Sequence, residues 1–384
     1  MLERLPVPGG AESTTGTTAA LVRKLKALTL PKLAEMYLPA DKSFVFRVRL
    51  TPRGVIKEGN STRYTAITLI GLAEEGDMTR ATVVGRDSLQ DICDRLVKGV
   101  GAITNLGDLA LTLWATQAVG GIDRTAVRQR LVDSRPAEDR YPTVEVSWAL
   151  AALCYDGEAT TAGLRDQLAK RLMQSCPSPK NVFPHLLGDG KSGLRSHVSC
   201  FADLVYPVHA LAHYAAITNS EEAIASASHC AQVFCRQQGP EGQWWWHYHQ
   251  QTGDVIEPYP VYAVHQDAMA PMALFALGDV TGHDFSSYIE KGLAWLTKAP
   301  ELGDGSLIDE DMSIIWRKVA RREPRKMTRA LQTLASRLHP RLRTPGVNVL
   351  FPAGAVDYED RPYHLGWLCY AWSPKRLAQW DKRR

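Results

Sequence analysis

Residues 238–269 read QGPEGQWWWHYHQQTGDVIEPYPVYAVHQDAM. Three tryptophans, three histidines and two aspartates fall within one connection ahead of an apolar run. An aromatic face suits the C–H side of a sugar ring, and equally a carbocation. Imidazole and carboxylate groups can exchange protons near neutral pH. Trp244, Trp245 and Trp246 cannot all face one way, so one or two are expected in the core and one at a cavity wall. His247, Tyr248, Tyr262, His265 and Asp267 follow. Pro258 and Pro260 stiffen the approach to the next helix, and Pro271 fits that helix's first turns.

Similar polar residues stand near the starts of other apolar segments: Arg63 with Tyr64, Asp108, Glu145, Asp203, Asp309 with Asp311, and Arg361 with Tyr363 and His364. Each acid alone also suits a helix cap, since carboxylates satisfy free N–H groups and complement the helix dipole. Arginine, histidine and tyrosine are poor N-terminal caps, and their presence at the same level points to a pocket. Carboxylates gathered there push one another's pKa values apart and supply an acid and a base. His265, Asp267 and His364 are the leading acid/base candidates, with Asp311 and Asp309 in reserve. Arg361 and Arg63 would clamp an anionic group. Tyr64, Trp244, Trp246, His247, Tyr248, Tyr262, Glu145, Asp203 and Tyr363 would line the wall.

Two kinds of helix must position these residues. SLQDICDRLVKGV, AGLRDQLAKRLMQSC, EEAIASASHCAQVFCRQQ, DFSSYIEKGLAWLTKA and KMTRALQTLASRL each carry an apolar stripe and a charged face, which suits an outer layer. STRYTAITLIGLA, LGDLALTLWATQAV, TVEVSWALAALC, CFADLVYPVHALAHYAA, VHQDAMAPMALFAL, DEDMSIIWRKVA and RPYHLGWLCYAW are apolar all round and therefore inner. The two kinds largely alternate, at hairpin-repeat intervals. The expectation is an all-α fold: a single closed (α/α)6–7 toroid over 41–384, with a short strand at 44–50. Residues 1–40 would form an extension, disordered over 5–20, where Pro, Gly, Ser and Thr are dense.

The stretch QGPEGQW, through Gln238, Gly242 and Trp244, resembles the QxxxGxW repeat of the terpenoid-cyclase and protein-prenyltransferase toroids. KGLAWLTKAPELGDGSLIDEDMSII is similar to a degenerate second copy. That resemblance implies an outer helix turning into an inner one. For a cyclase it implies an alkene-protonating acid in DEDM, which lacks the last aspartate of the family's DxDD. The prenyltransferases' zinc set is matched only by Cys200 and Asp203. His209 and His213, spaced i, i+4, could ligate a metal from one helix face, but a core role fits them better. In size and pocket chemistry the chain also resembles single-barrel sugar enzymes, the acylglucosamine 2-epimerases and unsaturated-uronyl hydrolases, without a residue-level motif. The polar wall favours these: a sugar or uronic-acid-containing substrate handled by acid/base catalysis, of epimerase, lyase or glycoside hydrolase type. A terpenoid or prenyl cyclase is the alternative, and a glycan-binding or assembly protein a third.

The formal charge of +4 over 384 residues does not argue for nucleic acid. Seven cysteines without a CxxC pair fit reduced, buried thiols. No secretory signal or membrane span is read, so a cytoplasmic protein is expected. No Gly-rich phosphate loop is present, so no cofactor is expected, and no resident metal. The basic segment 317–343, whose single acid is Glu323, could meet an anionic ligand or a membrane surface.

Overall fold

The computed structural model describes residues 15–176, 181–189, 193–324 and 327–382. Helix α1 (Thr15–Met36) is followed by α2 (Thr62–Ala73); α3 (Asp77–Val84), against which α1 packs, and α4 (Leu89–Lys98) precede α5 (Leu106–Val119). Then α6 (Thr125–Asp133) packs on α5 and precedes α7 (Thr143–Asp156), and α8 (Ala162–Ser175) packs on α7 and precedes α9 (Phe201–Thr218). Next come α10 (Glu221–Arg236) with α11 (Ala270–Thr281), and α12 (Ser286–Thr297). After α13 (Met327–Leu338) and α14 (Val347–Leu350), α15 (Pro362–Ala371) and α16 (Pro374–Asp381) finish the chain. The inner helices pack in the circular order α2, α5, α7, α9, α11, α15 and back to α2. The fold is thus the expected all-α toroid, with six inner helices.

Sequence explains the two layers. Helix α5 buries nearly every residue from Leu106 to Thr116, whereas α4 buries only Leu89, Ile92, Cys93 and Leu96 and begins with a Ser88–Asp91 capping box. The expected strand is present as Ser43–Thr51, paired with Gly54–Asn60. Short strands also lead into α7, α9, the turn before α11, and α15: Tyr141–Pro142, Val198–Cys200, Val261–Tyr262 and Glu359–Asp360. They anchor the first turns of the inner helices at one end of the barrel.

The QxxxGxW stretch works as a fastener between outer elements. Gln238 Nε2 donates to the carbonyls of Gly242 (3.1 Å) and Tyr288 (2.9 Å), and Trp244 is fully buried against Phe201 and Phe234. Gly242 has φ +105°, and a Cβ there would strike the Lys291 carbonyl.

Four expectations are corrected. Helix α1 buries Ala19, Val22, Leu25, Leu33 and Met36 in the common core, so the barrel begins well before residue 41. The disorder expected over 5–20 lies outside the described residues up to 14, and 15–20 are helical. The segment DEDMSIIWRKVA is not an inner helix. Ile308–Asp309 pairs with Ile314–Ile315 around a turn, and Lys318–Arg321 joins a sheet with Val261–Tyr262 and Ala353–Asp357. In that strand Val319 and Arg321 are buried while Lys318 and Ala320 are not, a period of two. The partial second QxxxGxW copy therefore ends in a hairpin. Lastly, α13 is no outer helix. It rests on strand Val255–Glu257, buries Thr328, Gln332, Thr333 and Ser336, and exposes Met327, Leu331, Leu334 and Leu338.

The ring closes where α2 meets α15 backbone to backbone. A Cβ on Gly71 would fall on the Gly366 carbonyl, and one on Gly366 would lie 2.8 Å from Ile67 O. Because backbone cannot yield as a side-chain tip can, Gly71→Ala should destabilise the fold by about 3 kcal/mol or more. Equilibrium urea unfolding checks this; an unchanged midpoint would refute the close crossing.

Candidate active site

The first turns of the inner helices converge on one mouth. On α2, Arg63 donates to Asp108 on α5 (2.7 Å) and Asn105 (2.6 Å), lies 3.7 Å from Glu145 on α7, and covers the Trp148 ring at 5.3 Å. Asn105 Nδ2 donates to Glu145 (2.9 Å), and the Gly107 N–H donates to its other oxygen (3.3 Å). Asp108 and Glu145 are therefore joined through one guanidinium and one amide.

On the other side of α2, where its ring neighbour α15 begins, Glu359 gathers three arginines. Arg47 and Arg361 reach it at 2.7 Å, and Arg317 pairs with it as well as with Asp357. Arg361 also donates to Tyr64 Oη (2.8 Å), and Tyr64 packs on Tyr363 at 4.8 Å. Arg317 lies over Tyr262 at 5.2 Å. Trp246 stacks on His265 (5.8 Å between centroids, 10° between planes) and packs on Tyr262. Of the three tryptophans, Trp246 alone joins this group; Trp244 and Tyr248 are fully buried core residues, which corrects their placement at the wall. His247 is buried behind Trp246 and meets Arg195 at 3.1 Å. Burial, reinforced by Arg195 and Arg329, holds its imidazole well below the usual range.

The leading acid/base candidates are brought together but not at the cavity surface. His364 Nε2 lies 2.9 Å from Asp267, and its Nδ1 lies 3.8 Å from Asp360. The side chains of Asp267 and His364 are 0% and 4% exposed. Burial opposes the imidazolium of His364, but Asp267 and then Asp360 outweigh it and raise its pKa. Burial pushes Asp360 up to about 7. This is an internal proton-sharing triad between α15 and the π-turn His265–Met269 that precedes α11. His265 is sealed by Phe201, Trp246 and Tyr262, and burial lowers it to about 3. Asp309 and Asp311 are further out. Their turn packs beside α1, where Glu310 pairs with Lys24. The hairpin that replaced the expected helix carried both acids away from the mouth.

One titratable group went unread in the sequence: His185. Its backbone carbonyl accepts from Thr143 N, the start of α7, and its Nδ1 lies 3.0 Å from Asp203, in the first turn of α9. Asp203 is fully buried, while the His185 side chain is 55% exposed. The bond to Asp203 raises the His185 pKa against the cost of burial. The imidazole opens on a hollow of about 680 Å³ that Arg195, His197, His249 and Arg337 also line. Only the proline before it, in NVFPHLL, hints at a fixed position.

His185, Cys200 and Asp203 offer donor atoms within 4.8 Å of one another, of the types zinc takes. Yet Asp203 already binds His185 and the Cys200 N–H, and burial keeps the Cys200 thiol protonated.

The basic segment divides. Arg317, Lys318 and Arg321 turn inward to Glu359, Asp357 and Glu257, whereas Arg322, Arg341 and Arg343 stay exposed. Among the described residues no helix is long and apolar enough to cross a membrane.

The architecture is shared with solved sugar-acting enzymes. An unsaturated glucuronyl hydrolase specific for heparin superposes with TM-score 0.61 at 13% identity, covering 95% of this chain and 98% of that one. Cellobiose 2-epimerase from Bacillus thermoamylovorans B4167 gives 0.63 at 9%, covering 94% and 100%. D-mannose isomerase gives 0.57 at 12%, covering 94% and 99%. These likenesses establish the fold over nearly the whole chain. No family model and no curated protein sequence matches it.

The triad makes stability pH-dependent. His364 and Asp360 both bind protons more tightly folded than unfolded. Their stabilisation is complete below the unfolded values, about 6.5 and about 4 respectively. It is lost as pH rises through the folded values, about 7 for Asp360 and above the ordinary imidazole value for His364. The urea midpoint should therefore fall between pH 5 and pH 8, and Asp360→Asn should flatten the lower part of that slope. Asp267→Ala, which strands His364, should cost about 3–5 kcal/mol.

Proposed function

We propose that the chain is a carbohydrate-active enzyme that admits a sugar or uronic-acid-containing substrate at this mouth and works by proton transfer. The observation that carries the reading is the His185–Asp203 pair: a half-exposed imidazole oriented by a buried carboxylate in the first turn of α9, the ring neighbour of α7, whose first turn carries Glu145. With Nδ1 committed to Asp203, Nε2 is the atom that meets substrate. The raised pKa suits this imidazole to donate a proton near neutral pH. Asp108 and Glu145, tied to one arginine, supply the carboxylates that a general base or an oxocarbenium-stabilising group requires. Arg361 and Arg317 would steer an anionic substituent, and Trp246, Tyr64 and Tyr363 would stack on ring faces.

The shared architecture supports the substrate class, since the hydrolase, epimerase and isomerase are all named for sugars. His265, Asp267 and His364 then act as positioning residues that fix the π-turn and the first turn of α15. No placement favours cyclase chemistry, because the DEDM acids lie on a surface turn.

A thermal-shift and turnover screen with unsaturated uronyl disaccharides, cellobiose and mannose tests this reading. A saccharide should raise the melting temperature. His185→Ala should lower kcat about 10²–10⁴-fold with the fold intact. Activity should fall as pH rises through the His185 pKa, and Asp203→Asn should move that limb to lower pH. Full turnover in His185→Ala would overturn the assignment.

A further inference from the structure

The far end of the barrel holds a second chamber. It has a volume of about 410 Å³ and is lined from all six inner helices, among them by Glu74, Trp114, Tyr155, His209, His213 and Tyr370. Toward the mouth Trp114, Tyr206 and Trp367 are buried, with Trp367 packed on both of the others: Trp114 at 5.4 Å and Tyr206 at 6.1 Å.

Four donor atoms form a ring at one wall of this chamber. His209 Nε2 and His213 Nε2 lie 3.1 Å apart. His213 Nε2 is 2.8 Å from Tyr155 Oη, the two tyrosine oxygens are 2.5 Å apart, and Tyr370 Oη is 3.0 Å from His209 Nε2. As a hydrogen-bond ring this arrangement falls one proton short. Each imidazole nitrogen either donates or accepts, never both. If both Nε2 atoms carry a proton, or neither does, the His–His contact is repulsive. If one does, that single proton must serve both of its neighbours, so the four contacts share three protons.

A cation at the centre removes the shortfall, because all four atoms can then present lone pairs. The spacing fits. Donors held about 2.0–2.1 Å from one ion at angles of 90–109° lie about 2.9–3.4 Å from each other, and three of the four contacts are near that range. Six inner helices also end here, and the C-terminal ends of helices favour positive charge.

We propose that His209, His213, Tyr155 and Tyr370 form a site for one divalent transition-metal ion of the copper–zinc group. It joins α7, α9 and α15 across the far end of the barrel and is distinct from the mouth. Two imidazoles spaced i, i+4 on one helix give the nitrogen donors, and the phenols complete an N2O2 set. Helices α9 and α15 are not neighbours in the ring, so the ion is a cross-brace, and its binding raises stability by mass action.

The test uses the full chain, stripped with chelator and desalted, then loaded with Zn²⁺ or Cu²⁺ in separate samples. Metal content is measured after gel filtration, together with the melting temperature. The expected result is one ion per chain and a higher melting temperature. His209→Ala with His213→Ala should abolish retention. Tyr155→Phe with Tyr370→Phe, which keeps the packing, should weaken it at least tenfold. Burial favours the protonated phenols, so Cu²⁺ must displace their protons to buffer as it binds; it should then add a tyrosinate-to-copper visible absorption that this Phe variant lacks. Absence of a retained ion in the wild type would overturn the inference. So would retention that survives the His209/His213 change and is lost in Cys200→Ser, which would move the metal to the mouth.

Discussion

Six helices that run in the same direction around one axis place their free N–H groups at one end and their free carbonyls at the other. The acids at the mouth answer to that constraint. At the N–H end stand Asp108, Glu145 and Asp203, and they cap as well as line: Asp203 accepts the Cys200 N–H, and Glu145 accepts the Gly107 N–H of the next helix. At the carbonyl end cations come from other elements, with Arg80 donating to Leu72 O and Ala73 O and Lys26 to Trp372 O, beside the acids Glu74, Asp156 and Asp279. The acidic mouth is then converted into a mixed one by arginines brought from elsewhere, Arg63 on the acidic side and Arg317, Arg361 and Arg47 around Glu359.

Capping and catalysis are therefore not rival explanations for the acids. A carboxylate engaged by a backbone N–H is fixed in place, and a fixed group makes a better partner for a titrating one. Asp203 illustrates this. Its bond to the Cys200 N–H holds it in the first turn of α9, and from there it orients His185, whose other face meets solvent.

The toroid was legible because inner helices are apolar all round and outer ones are not; that contrast survives in a single sequence. What escaped is what depends on angle rather than composition. Successive helical residues turn about 100°, so in PYH at the start of α15 Tyr363 faces the mouth while His364 points into the wall toward Asp267, 97 residues away. His265, Asp267 and His364 do lie near one another, but deeper in the wall than their positions at helix starts suggest. His185 escaped because it sits in a loop, where no periodicity marks it. The DEDM acids were misplaced because the following strand is four residues long, too short for its period of two to stand out from an apolar helix. The inverted helix α13 shows the same limit: its apolar stripe was plain, but a stripe does not say which side it faces.

The mouth and the far chamber share walls. Helix α9 carries Asp203 at the mouth and His209 and His213 one and a half to three turns further along; α15 carries Tyr363 and His364 at the mouth and Tyr370 two turns below. Trp367, fully buried, lies between them and touches both Tyr206 and Tyr370. Packed interiors transmit displacement because they have little free volume to absorb it. An axial shift of α9 or α15 at one end must therefore reach the other, where it would alter the Asp203–His185 distance or the registry of Tyr363 with Tyr64. The close glycine crossing between α2 and α15 limits how far such a shift can go, since the two backbones already touch. The same contact that closes the ring thus holds the mouth residues of α2 and α15 in fixed relation, and Arg361 to Tyr64 is the bond that benefits most directly.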